Sequence, residues 1–238
     1  MAQSHALKLI AFDAYGTLFD VMSVAQRLEQ HFPAQGQSIA RLLREKQVEY
    51  SRLRALAGPQ HYKPFWDLTR DALVYTLAAG GHRATDSVLS DVLSAYREIR
   101  AYPEVMEVLQ SMQRSGLRLV VLSNGNPDML DDALRSAGLG AYFQAVLSAE
   151  SVRSFKVRPE VYALATQFAE CHPTEVLLVS SNAWDIAGAH WAGLRGFWVN
   201  RAAQPFEQLD LVPDGQGSDL RDLLPFLSSV TLDSGASC

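Results

Sequence analysis

Three short apolar runs in this chain each break off into a cluster of polar residues. Residues 9–12 run into Asp13, residues 119–122 into Ser123-Asn124-Gly125, and residues 176–179 into Ser180-Ser181-Asn182. A fourth run, 197–199, is equally apolar. None alternates strictly, as a strand with one wet face would. Such runs suit a parallel sheet covered by helices on both sides. In open sheets of that kind ligands bind outside the carboxyl ends of the strands. The polar clusters therefore mark a candidate site. Each could instead cap the helix that follows it, a common use of Asp, Ser and Asn. Three such ends, with Asp-x-x-Gly-Thr in the first, favour a shared site.

Between the later runs lie stretches of crossover-helix length. Residues 103–115 carry Val105, Val108, Leu109 and Met112 at helical spacing, and Gly116 stops them. Residues 127–137 do the same with Leu130, Leu134 and Ala137 before Gly138. Residues 159–170 open on a proline, which suits a first helical turn. From 21 to about 101 no convincing strand is visible. The segment reads as helices over 21–32, 38–57, 65–79 and 85–100, separated by Pro- and Gly-containing breaks. The expected fold class is α/β: a doubly wound, mostly parallel sheet with an inserted helical cap domain. The core domain takes 1–20 and 101–238, and the cap takes 21–100. The tail beyond Leu227 is expected to fray.

A chain of 238 residues is long enough for a core plus a smaller inserted domain. Its net charge of −5 and its lack of a Lys/Arg cluster exclude the electrostatic footprint of a nucleic-acid binder. The first apolar run is interrupted by Lys8 and stopped by Asp13, too short for a membrane span or a signal peptide. Of the two cysteines, Cys238 is the last residue, so a structural disulfide with Cys171 is not expected. No spaced Cys/His cluster suggests zinc. A soluble, cytoplasmic protein with no membrane partner is the expectation.

The polar clusters carry a resemblance. The stretch Phe12-Asp13-Ala14-Tyr15-Gly16-Thr17-Leu18-Phe19-Asp20 resembles the first motif of the haloacid dehalogenase superfamily. Ser123-Asn124-Gly125 resembles its second motif, Lys156 with Pro159 its third, and Ser180-Ser181-Asn182-Ala183-Trp184-Asp185 its fourth. The last is the most specific, and it is similar to the L-2-haloacid dehalogenase branch. The likeness covers nearly the whole chain, including the helical insertion. In place of the proline that often follows this lysine, Val157-Arg158 stand here.

That resemblance implies a set of roles. Asp13 is the nucleophile, since a carboxylate can displace halide at a saturated carbon and leave an ester. Thr17 offers a hydroxyl beside it. Lys156 keeps Asp13 ionised and oriented. Ser123 and Asn124 hold the substrate carboxylate, and Arg44, from the cap, receives the departing halide. Spacing alone does not select Arg44 from Arg41, Arg52 and Arg54; the segment around it, 43–50, matches the family pattern. Tyr15, Trp184 and Phe65 form an apolar wall. Asn182 helps bind the ester or water, and Asp185 orients or deprotonates that water. Ser180 and Tyr162 are further substrate-binding candidates. The implied substrate is a small halogenated carboxylic acid, the products are a hydroxy acid and halide, no cofactor or metal is used, and the assembly is a homodimer.

Phosphatases of the same superfamily typically carry a second Asp where Tyr15 stands, and an acidic residue where Ser181 stands. Magnesium prefers carboxylate oxygens and water, so both differences argue against a magnesium phosphatase. A defluorinating enzyme acting on fluoroacetate or 2-fluoroacids by the same mechanism is a second alternative. An inactive relative that only binds a small acid or a protein is a third, and the set of Asp13, Arg44, Lys156 and Asp185 argues against it. The six histidines lie outside these motifs and make no Ser-His-Asp arrangement.

Overall fold

The computed structural model describes residues 6–233. Its centre is a six-stranded sheet whose paired neighbours all run parallel: β1 (Leu9–Phe12), β2 (Leu119–Ser123), β3 (Ala145–Ser148), β4 (Val176–Ser180), β5 (Arg195–Val199) and β6 (Gly215–Gly217). The spatial order is β3-β2-β1-β4-β5-β6. The order reverses at β1, which pairs with β2 on one side and β4 on the other. The three polar-ended strands are therefore adjacent, with Asp13 in the middle.

Strand alternation divides the core into two layers. Leu9, Ala11, Val120, Leu122 and Leu178 pack with α7 (Pro159–Ala169) and α8 (Ala183–Trp191). Ile10, Phe12, Val121 and Val179 pack on the other face with α5 (Val105–Arg114), α6 (Pro127–Ser136) and α9 (Leu223–Asp233). A strand buried on both faces has no polar face to display, which is why these runs read as continuous apolar stretches.

The insertion folds as α1 (Met22–His31), α2 (Gly36–Ala57), α3 (Phe65–Ala79) and α4 (Asp86–Ser94), packed against one another. Leu28, Leu43, Leu73 and Val92 form its interior, continuous with the α5–α6 layer. The helix expected over 85–100 stops at Ser94. Residues 95–98 continue as short turns back onto 92–94, and from Arg100 the backbone pairs elsewhere: Arg100 O accepts from Asp20 N, Leu18 O accepts from Tyr102 N, and Phe19 bridges Ala101. The entry and exit chains of the insertion are thus tied together.

Two strands are not anticipated from sequence. β3 is a four-residue edge strand, and β6 reads Gly-Gln-Gly, with no apolar signal. The frayed tail is corrected in part. Leu223–Asp233 is helical, with Ser228 and Ser229 hydroxyls donating to Leu224 O and Phe226 O. Leu223 and Leu227 anchor it on the core. The rest of the expected tail, and Cys238, lie outside the described residues; Cys171 is a free thiol. Among the described residues no helix is long and apolar enough to cross a membrane.

Helix α8 lies close to α7 because Gly188 has no side chain. A Cβ there would stand 2.3 Å from the Tyr162 hydroxyl and 2.8 Å from Val157. Gly188→Ala is expected to cost about 1–3 kcal/mol, the usual range for overpacking. Gly140→Ala, where a Cβ meets nothing within 4 Å, should stay within about 0.5 kcal/mol of wild type. Urea denaturation of both variants checks the contrast; equal midpoints would refute the close approach.

Candidate active site

Asp13 sits one residue past β1, and its N–H still donates to Val179 O at 2.9 Å, prolonging the sheet to the nucleophile position. The chain then turns sharply. Gly16 takes φ of 94°, a region that favours glycine, and its N–H donates to Phe19 O. A Cβ at Gly16 would also stand 3.2 Å from Ser181 Oγ, so the turn presses directly on the loop after β4.

Donors converge on the Asp13 carboxylate. Lys156 Nζ donates to Oδ1 at 3.0 Å. Thr17 Oγ1 lies 3.2 Å and Asn182 Nδ2 3.1 Å from Oδ2. Thr17 is itself fixed: its Oγ1 accepts from Ser181 N at 2.8 Å, and its carbonyl accepts from Arg201 Nη2 at 3.0 Å. Arg201 is held in turn by an ion pair to buried Glu104 at 2.6 Å, and its guanidinium lies over the Tyr102 ring at 3.7 Å.

Lys156 Nζ also donates to Asp185 Oδ2 at 2.7 Å, so one ammonium joins two carboxylates. Lys156 is 1% exposed and Asp185 fully buried. Burial alone would discharge the lysine, but the charges of Asp13 and Asp185 and their hydrogen bonds outweigh it and raise its pKa above the usual lysine value. Burial also pushes the Asp185 carboxyl above the ordinary carboxylate range; Lys156 opposes that rise and the charge of Asp13 adds to it. Tyr162, buried against Gly188, donates to Asp185 Oδ1 at 2.9 Å. Burial, then the Asp185 charge, hold this phenol protonated far into alkaline pH.

The second polar cluster lies on the β2 side. Asn124 Oδ1 accepts from Lys156 N at 2.9 Å, fixing the lysine's backbone and leaving the amide NH2 of Asn124 for other partners. Ser123 Oγ accepts from Gly125 N at 3.2 Å and keeps its own hydrogen to donate. Ser180 is buried and its Oγ accepts from Asn182 N, which shapes the loop. Phe65, at the start of α3, is buried on Phe155, one residue before Lys156. Tyr15 packs edge-on against Tyr96, and its hydroxyl is buried with no hydrogen-bond partner among the described residues. Burial, and secondarily Tyr96, keep it protonated. Trp184 sits half-buried between Asn182 and Asp185.

Arg44 projects from α2, and its Nη1 donates to Gln47 Oε1 at 2.8 Å. Gln47 is fully buried and donates to Thr69 Oγ1 at 2.7 Å. No direct contact joins Arg44 to Asp13 among the described residues, but its charge is felt by Tyr15 and Tyr96. Sequence reasoning missed Gln47, Ser181 as a bracket for Thr17, and Arg201 with Glu104. Gln47 stands three residues after Arg44, a spacing that puts both on one helix face and could have suggested the pair; the Arg201 pair, far apart in sequence, gave no such signal.

A family model described as a haloacid dehalogenase-like hydrolase matches residues 7–193. The (S)-2-haloacid dehalogenase of Xanthobacter autotrophicus is 43% identical over 206 residues, 87% of this chain and 80% of that one. The chain belongs to the haloacid dehalogenase-like hydrolases. Within this family its similar curated relatives include (S)-2-haloacid dehalogenases and, at 35% identity, the haloacetate dehalogenase H-2 of a Moraxella strain. A crystal structure of an L-2-haloacid dehalogenase superposes with a TM-score of 0.92 at 45% identity, covering 94% of this chain and 100% of the other. The X. autotrophicus L-2-haloacid dehalogenase with chloropropionic acid covalently bound gives a TM-score of 0.87 at 36% identity, covering 97% and 100%.

Removing Lys156 would leave two buried carboxylates without their cation. Lys156→Met is expected to lose about 3–5 kcal/mol at pH 8. Asp185, already raised, would rise further, so the folded variant would bind a proton that the unfolded chain releases. Stability then increases as pH falls through that folded pKa. Urea unfolding at pH 8 and pH 5 should show the deficit shrinking at the lower pH; a constant deficit would contradict the shared-ammonium arrangement.

Proposed function

We propose that this protein hydrolyses small L-2-haloacids to D-2-hydroxy acids through an ester formed on Asp13, without a metal ion. The observation that carries the reading is the hydrogen bonding of Asp13. Among the described residues, Oδ2 has two donors, Thr17 and Asn182, whereas Oδ1 has only Lys156. A carboxylate oxygen has two in-plane lone pairs, so Oδ1 keeps one free to attack. The covalent chloropropionic acid in the X. autotrophicus relative supports the same step.

The substrate carboxylate lies toward Ser123 and Asn124 on the β2 side, with Tyr15, Phe65 and Trp184 as apolar walls. Asp13 Oδ1 forms a bond to the halogen-bearing carbon as the carbon–halogen bond breaks, and the halide leaves with the electron pair toward Arg44. Gln47 positions that arginine. Water then attacks the ester at Asp13 Cγ. Negative charge develops on Oδ2, where Thr17 and Asn182 donate, which gives an oxyanion site made of groups already in place. Asp185 accepts the water's proton; its raised pKa makes it a better base than an ordinary aspartate. The second step breaks the bond between Cγ and Oδ1 and leaves the substrate carbon untouched. Only the first step inverts that carbon, so an L acid gives a D product.

A magnesium phosphatase is the competing member of this superfamily. The donor set does not suit that ion. Ser181 supplies a hydroxyl where an acid is needed, and both Asp13 and Asp185 are engaged by one ammonium.

The reading includes residues 21–100 as the cap and 1–20 with 101–238 as the core, supported by the tie between the two connecting chains. It also includes a cytoplasmic homodimer. Leu53 and Leu56 on α2, with Val74 and Tyr75 on α3, expose apolar surface on two neighbouring helices. Light scattering after size exclusion should give twice the 26.2 kDa chain mass; a monomer at micromolar concentration would refute the dimer.

Halide release from L- and D-2-chloropropionate and from fluoroacetate, with EDTA present, tests the chemistry. Release from the L acid, reduced by roughly three orders of magnitude or more in Asp13→Asn, is expected. No release from any of these acids would overturn the assignment.

A further inference from the structure

Helix α2 brings a second arginine to the site. Arg52 lies two turns beyond Arg44, and its guanidinium carbon is 4.7 Å from the centre of the Trp184 ring. Trp184 follows Asn182, which binds Asp13, and precedes Asp185, which binds Lys156. Arg52 is half-buried, and among the described residues it has no carboxylate within ion-pair distance and no side-chain hydrogen bond. Burial lowers its pKa; the charge of Glu207 and the Tyr162 phenol raise it, and Arg44 lowers it. Desolvating a guanidinium without giving it an acid is unfavourable. Five N–H donors are left to find partners in water or in a ligand. Stacking on an indole keeps the fork flat and restricts its motion, which suits planar recognition of a carboxylate.

The sheet order says which part of a substrate would meet it. Asp13 is central. Ser123 and Asn124 end β2 on one side, while Trp184 and Arg52 lie beyond β4 on the other. On the functional reading above, the reacting carbon sits at Asp13 and its carboxylate points to the β2 side. The remaining substituent then points to the β4 side, along Trp184. We infer that Arg52 and Trp184 form a second anion subsite, which extends the substrate range to 2-haloacids whose side chain ends in another carboxylate, as in 2-chlorosuccinate. The chemistry is otherwise unchanged: Asp13 displaces chloride, water cleaves the ester, and malate is the product.

Chloride release from (S)-2-chlorosuccinate and (S)-2-chlorobutyrate, measured in wild type and Arg52→Met, tests this. The two acids have similar length, and only the first has the second carboxylate. Wild type should accept chlorosuccinate with a kcat/KM at least equal to that for chlorobutyrate. In Arg52→Met the ratio of the two kcat/KM values should fall about tenfold or more, the worth of one charge-assisted hydrogen bond. The change should lie in KM, and Arg52→Lys should recover part of it. Turnover of chlorobutyrate with no turnover of chlorosuccinate, or a ratio unchanged in Arg52→Met, overturns the subsite and leaves the dehalogenase reading intact. Failure of both acids with L-2-chloropropionate still turned over overturns the subsite alone; failure of all three overturns the two together.

Discussion

One buried ammonium, that of Lys156, ties together three parts of the chain that are distant in sequence. It reaches Asp13 at the end of β1 and Asp185 in the first turn of α8, and its own backbone is held by Asn124 after β2. Two carboxylates this close would repel and would be costly to bury. With the lysine between them they become the point at which the carboxyl ends of the central strands are brought into register. The surroundings of the site follow from keeping that cluster dry and charged. Tyr162 closes over Asp185, and Gly188 is small because Tyr162 must fit.

The same economy governs Asp13. Its donors come from three segments: Thr17 from its own turn, Lys156 from the loop before α7, and Asn182 from the loop after β4. Thr17 does not rely on rotamer preference alone. It is bracketed by Ser181 from one side and by Arg201 from another. A group that must donate hydrogen bonds in a fixed direction gains from having its own acceptors filled, because alternative geometries are then excluded.

Much of this was legible in the sequence. Buried parallel strands advertise themselves as apolar runs, and Asp13, Ser123, Ser180 and Asn182 announced the site because polar residues rarely stop such runs together. The elements that were hard to see lack that contrast. β6 is Gly-Gln-Gly and contributes backbone pairing only, and β3 is a short edge strand. α4 ends earlier than its pattern suggests: residues 95–98 form short turns back onto 92–94, and residues 100–102 pair with 18–20, a long-range interaction that local periodicity cannot encode. Lys156 and Arg44 stand out only through motif context, since lysine and arginine are ordinarily surface residues. Arg201 and Glu104 support the site from outside any motif, and side-chain partnerships of that kind depend on the completed fold.

The tie between the connecting chains, where Leu18 and Asp20 meet Arg100 and Tyr102, bears on how such a protein can change over generations. Because the two ends of the insertion are hydrogen-bonded neighbours, the entropy of closing that loop is met locally and depends only weakly on how much chain lies between. The helices beyond the tie can therefore be lengthened, shortened or exchanged with little disturbance to the strand that carries Asp13. A fold built this way keeps the Asp13 end of the site on the sheet, while Arg44 and the groups beside it belong to a segment that evolution can edit almost as a separate text.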